Sequence, residues 1–105
     1  MSDPVVVTAY FRPLPGQHDR VVEALRPAIA AVHDEPGCEL YAIHDAPDGT
    51  IVMIEKWSST DELDEHGNGE AVRVLNAAIE GLLTSPVEVS RLTPLPAGTS
   101  KQGQL

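Results

Sequence analysis

Glu39-Leu-Tyr-Ala-Ile-His-Asp45, Ala46-Pro-Asp-Gly49 and Thr50-Ile-Val-Met-Ile-Glu-Lys-Trp57 are two β-rich runs separated by a four-residue turn signal. The central Pro-Asp-Gly presets a tight turn, because Pro fixes its own φ and Gly accepts a positive one. Two such runs about one turn form an antiparallel hairpin. In the second run both parities are apolar, Ile51 and Met53 on one and Val52 and Ile54 on the other. Period two therefore predicts a strand that buries side chains on both faces.

Outward from the hairpin, Glu35-Pro36-Gly37 stops whatever precedes it. That is a helix over roughly 17–34, since Val21, Val22, Leu25, Ile29 and Val32 recur at helical spacing. Pro27 falls inside this pattern and removes one backbone hydrogen bond. The sequence thus predicts a kink or a split there, with a wider pocket as its consequence. Before the helix, Val5 to Arg12 is a nearly continuous apolar run that reads as a buried strand. Beyond Trp57, Ser59 and Glu62 have capping-box spacing and open a short helix ending at Gly67. Asn68 is the expected cap of a second helix, with the stripe Val72, Leu75, Ile79 and Leu82, closed by Pro86. Val87 to Thr93 is the last strand.

The order β-α-β-β-α-β defines an α+β, ferredoxin-like domain with an antiparallel sheet, spanning residues 1–95. Residues 96–105 lose the apolar pattern and read as a flexible tail. Both helices cover one face of such a sheet. The apolar second parity then calls for another cover, and a second copy of the chain is the simplest: a homodimer, its sheets face to face as an α/β barrel.

The 105 residues suffice for one modest core. With 7 Lys plus Arg against 16 Asp plus Glu, the net charge is −9, which excludes the basic footprint that nucleic acid or an anionic membrane needs. Cys38 is the single cysteine, so no internal disulfide forms. The Met1-Ser2-Asp3-Pro4 opening carries no basic n-region and no long apolar segment follows, so a soluble cytoplasmic protein is expected. The four histidines show no metal-ligand spacing. Five acids and no Lys or Arg lie between Asp61 and Glu70, which predicts an electronegative pocket lip favouring a neutral ligand.

In this frame the strand ending Ile54-Glu55-Lys56-Trp57, the short helix ending with His66, the Glu35-Pro36-Gly37-Cys38 corner and the Tyr41 strand resemble the antibiotic biosynthesis monooxygenase family. The resemblance covers about residues 4–95. It implies a small dimeric α+β barrel with a pocket between each sheet and its own helices. Some members of that family oxidise phenolic or hydroquinone-type substrates with molecular oxygen and neither flavin nor metal. Others handle haem, or isomerise small signalling molecules, so the fold does not fix the reaction.

Trp57 and His66 are the candidate catalytic residues. Indole walls an apolar pocket and offers one N–H donor, or simply fills core. Imidazole is the natural proton acceptor for a phenol, or a solvated side chain in an acidic loop. Glu55 shares strand parity with Met53 and Trp57, so all three face one side. It is either ion-paired, with Arg91 or Arg26, or a base whose pKa is raised. Tyr41 can orient a substrate oxygen. Tyr10 and His44 belong to the other parity and the dimer seam, and His18 and His33 face solvent.

The branch that makes aromatic polyketide quinones carries Asn four residues before the Trp and Tyr six after it. Those positions here are Met53 and Leu63, which makes the substrate pocket more apolar. The haem-degrading branch needs an Asn on the first strand and a His in the second long helix; Thr8 and Tyr10 stand on this strand, and that helix has no His. The sequence thus points to a cofactor-independent monooxygenase acting on a small aromatic or quinol substrate and O2. A non-oxidative isomerase and a non-catalytic ligand-binding dimer are the alternatives.

Overall fold

The computed structural model describes residues 3–105; Met1 and Ser2, whose reading as free of a targeting signal stands above, lie outside the described residues. Seven elements follow one another: β1 (Val5–Phe11), α1 (His18–Val32), β2 (Cys38–Asp45), β3 (Ile51–Trp57), α2 (Thr60–Gly67), α3 (Glu70–Ile79) and β4 (Glu88–Leu92). The sheet order is β2-β3-β1-β4 with antiparallel neighbours throughout, the ferredoxin-like arrangement. The hairpin turns where expected: Gly49 has φ +89°, and Asp48 Oδ1 accepts the Thr50 N–H at 2.9 Å.

The alternate residues Ile51, Met53, Glu55 and Trp57 of β3 are all buried, and Val5, Val7, Ala9 and Phe11 of β1 join them beneath the helices. Val21, Leu25, Ala28 and Val32 close this core from α1. On the opposite face Val6 is buried, while Thr8, Tyr10, Val52 and Ile54 are half-buried. Lys56 on that face donates from Nζ to the Leu105 main-chain oxygen at 2.6 Å. Among the described residues, no helix is long and apolar enough to cross a membrane.

Two local expectations need correction. Of the two outcomes expected at Pro27, the split does not occur: α1 runs through it as one helix. Pro27 lies on the exposed side of the helix, where water can take up the carbonyl that its missing N–H leaves free. The second correction concerns α3. Asn68 is the C-cap of α2, and Gly69 takes the N-cap position of α3 without a side-chain bond. α3 then stops at Ile79, well before Pro86, because Gly81 turns the chain at φ +79°. Leu82 therefore packs on the core from a loop rather than a helix. The Ser59 cap is present as read: its hydroxyl accepts the Glu62 N–H, and the Glu62 carboxylate accepts from Ser58 and Ser59. Gly37, at φ +82°, abuts that carboxylate so closely that any Cβ would collide with it.

Candidate functional site

A cavity of about 350 Å³ lies between the sheet and the α2–α3 pair. Its floor follows from strand register. One row across all four strands is Tyr41, Glu55, Val7 and Arg91; the next is Ile43, Met53, Ala9 and Val89. The first row is polar at its two ends, and the second is apolar, with small Ala9 leaving room above it. Leu63, His66 and Gly67 of α2 and Val72, Leu75 and Asn76 of α3 form the roof. Among the described residues none from α1 lines the cavity, so Pro27 does not border it.

Five of the six side chains singled out in the sequence meet here: Tyr41, Met53, Glu55, Leu63 and His66. Trp57 does not line the cavity. It is fully buried and forms the layer behind His66, with ring centroids 4.5 Å apart and planes tilted by 31°. Tyr41 meets the imidazole edge-on at 5.3 Å and the indole at 6.4 Å, so the three rings form one cluster.

His66 is buried rather than solvated. Its Nδ1–H donates to Glu35 Oε1 at 2.7 Å, with the histidine side chain 6% exposed and the glutamate 23%. A carboxylate only accepts, so the proton sits on Nδ1 and Nε2 is the basic nitrogen of the neutral ring. Glu35 comes from the α1–β2 turn, where the sequence displays only a helix stop. No spacing rule connects positions 35 and 66; folding brings them together.

Glu55 has neither arginine as partner. Arg91 donates to Asp64 Oδ1 at 2.7 Å, and Arg26 to Glu23 Oε1 at 3.0 Å. What Glu55 has is the Trp57 indole N–H, donated to its Oε1 at 2.9 Å. Residues i and i+2 of a strand share a face, and the long indole reaches back to its neighbour. Burial pushes the Glu55 carboxyl above its ordinary value, although the indole bond and nearby His66 pull the other way. Burial likewise pushes the Tyr41 phenol up, so it stays a neutral hydroxyl.

The acids of the 61–70 stretch stand outside the cavity wall. Glu62 is spent on its serines, Asp64 on Arg91 and Glu70 on Arg73, and Asp61 and Glu65 are exposed. None of the five lines the cavity. Among the described residues no group of three or more His, Cys, Asp or Glu comes together to hold a metal ion. Asn76 and Arg91 are polar lining residues that the sequence did not single out as such; only Arg91's parity on the last strand could have signalled it.

The arrangement offers an oriented imidazole, a buried carboxyl and a phenol hydroxyl around an apolar space. Over 96 residues the chain is 34% identical to "Putative monooxygenase Rv0793" of Mycobacterium tuberculosis, a match covering 90% of this chain and 95% of that protein. The solved structure of Rv0793 superposes with a TM-score of 0.84 at 33% identity, covering 92% of this chain and all of that one. PA3566 from Pseudomonas aeruginosa superposes with a TM-score of 0.80 at 29% identity, covering 90% and 97% of the two chains. Residues 4–78 match the family described as antibiotic biosynthesis monooxygenase, and the chain belongs to it.

Proposed function

We propose that this protein oxidises a small phenolic or hydroquinone-type substrate with molecular oxygen, using no flavin or metal, with His66 as proton acceptor. The observation that carries the reading is the buried His66 on the cavity wall, its Nδ1–H fixed by Glu35. His66 Nε2 takes the phenolic proton. The phenolate passes electrons to oxygen, and a C–O bond forms at a ring carbon that carries hydrogen, beside or opposite the hydroxyl. The resulting hydroperoxide loses the ring hydrogen, and its O–O bond breaks. One oxygen atom stays as the new quinone carbonyl and the other leaves as water, taking back the proton held by His66. Tyr41 and Glu55 hold the substrate oxygen; Met53 and Leu63 enclose the ring; Trp57 supports His66 and Glu55 from behind. In the working form two copies pack sheet to sheet, covering the half-buried Tyr10, Val52 and Ile54. Light scattering at micromolar concentration should give a dimer mass.

The direct test is oxygen consumption over a panel of hydroquinones and anthrones, with wild type beside His66→Ala and Trp57→Phe. Turnover that both substitutions impair is the expected result. No turnover, or turnover indifferent to both, overturns the reading. Proton transfer without oxygen is a second reading, favoured by one observation: Glu55 and His66, two proton-carrying groups, line the same cavity. Activity that persists under strict anaerobiosis would select it.

A further inference from the structure

The floor row has a feature that the proposed oxidation does not use. Glu55 and Arg91 are both paired with Val7, one from each neighbouring strand, so they flank it on the same face of the sheet. Adjacent strands are about 4.8 Å apart, which puts the two backbones ~10 Å apart across the cavity floor. Val7 between them is short and apolar. Among the described residues Arg91 is the one Lys or Arg on the cavity wall. Its one side-chain partner among them is Asp64, through a single Nη2–H at 2.7 Å, with the Arg91 side chain 49% exposed. The guanidinium therefore has further donors, in the fork that matches a carboxylate.

We infer that Arg91 is a specificity-determining residue that selects an aromatic substrate carrying a carboxylate across the ring from its hydroxyl. The hydroxyl lies at the Tyr41, Glu55 and His66 end of the row and the carboxylate at the Arg91 end. The separation suits one ring with a hydrogen bond at each end, while the neighbouring apolar row of Met53, Ala9 and Val89 takes any fused ring or alkyl group. Asp64 holds the guanidinium when the cavity is empty and shares it when an anion arrives. The assignment rests on the proposed phenol-binding role of the cavity, but it concerns binding and requires no turnover.

The test uses 4-hydroxybenzoate and its neutral methyl ester as probes, with affinities measured by calorimetry at low salt. Wild type should bind the acid at least about tenfold more tightly than the ester, as a charge-assisted fork predicts. Arg91→Gln should bring the ratio close to one. Asp64→Asn, which frees the guanidinium, should raise it. A wild-type ratio near one, a ratio that Arg91→Gln leaves intact, or one that Asp64→Asn fails to raise overturns the inference. Oxygen uptake by the wild type on unsubstituted hydroquinone separates the two proposals. Uptake without any acid preference removes the Arg91 assignment alone. An Arg91-dependent preference with no uptake from any phenol removes the oxidation and leaves the selectivity standing.

Discussion

Among the described residues two histidines meet carboxylates, at the same shortest distance and with different consequences. His66 meets Glu35 at 2.7 Å, and His18 meets Asp45 at 2.7 Å and Asp19 at 2.9 Å. The first pair is enclosed by Trp57 and Tyr41 and borders a cavity. The second lies at the surface, where the aspartates are 67% and 99% exposed. Distance alone does not rank them. Solvent screens the outer pair and lets its side chains move, whereas the inner pair is fixed by packing and faces a space that a ligand can enter. The outer pair ties the start of α1 to the β2–β3 hairpin. The proposed chemistry draws on the inner pair.

The inner pair is disturbed most severely by removing the wall behind His66. Trp57→Ala should lower unfolding stability by about 3–5 kcal/mol in denaturant melts, since it opens a large void and orphans the Glu55 bond. Next is Glu35→Ala, which leaves the imidazole without its orienting partner. Turnover of a hydroquinone should fall at least about tenfold in kcat with KM little changed, part of the ~10²–10⁴ that a general base supplies. The matching surface change, Asp45→Asn, should leave both constants as in wild type. Equal effects from the two substitutions would erase the distinction.

A smaller effect separates the two environments by pH. Burial holds the Glu55 carboxyl above its ordinary value of 4.5, so its neutral form is the one the fold favours. That contribution is fully present below pH 4.5 and is lost as pH rises through the raised value. Glu55→Gln fixes the neutral form and should flatten the decline in stability over this window. The smallest effect is at His18, whose bonds to Asp19 and Asp45 raise its pKa above 6.5. Its contribution is present below pH 6.5 and disappears as pH rises through the raised value; His18→Gln should remove that slight slope from melting curves.

The expectations that survived folding are those with a local cause. A Pro-Asp-Gly turn, a Ser59 cap and period-two apolar runs are properties of neighbouring residues, and all three were legible. So was the shared face of Met53, Glu55 and Trp57. A buried carboxylate is costly unless paired, which makes Arg91 and Arg26 the expected partners of Glu55. The structure gives Arg91 to Asp64 and Arg26 to Glu23, and an indole satisfies the carboxylate. Pro27 lacks one backbone hydrogen bond, yet its solvent-facing position makes that loss cheap. Asn68 has the chemistry of an N-cap, but the turn that ends α2 claims it first.

By itself the sequence determined the order of elements, the antiparallel hairpin and the residues that share the inner face of β3. These depend on backbone periodicity and turn chemistry, which act over a few residues. Only the tertiary structure decided that Glu35 orients His66 and that Trp57 stands behind the cavity rather than in it. It also decided that Tyr41, Glu55, Val7 and Arg91 form one row. Each of those facts joins residues far apart in the chain, and strand register and helix packing bring them together. The acidic charge shows the same division: the count of five between Asp61 and Glu70 is fixed by sequence, while the direction each carboxylate faces is fixed by packing.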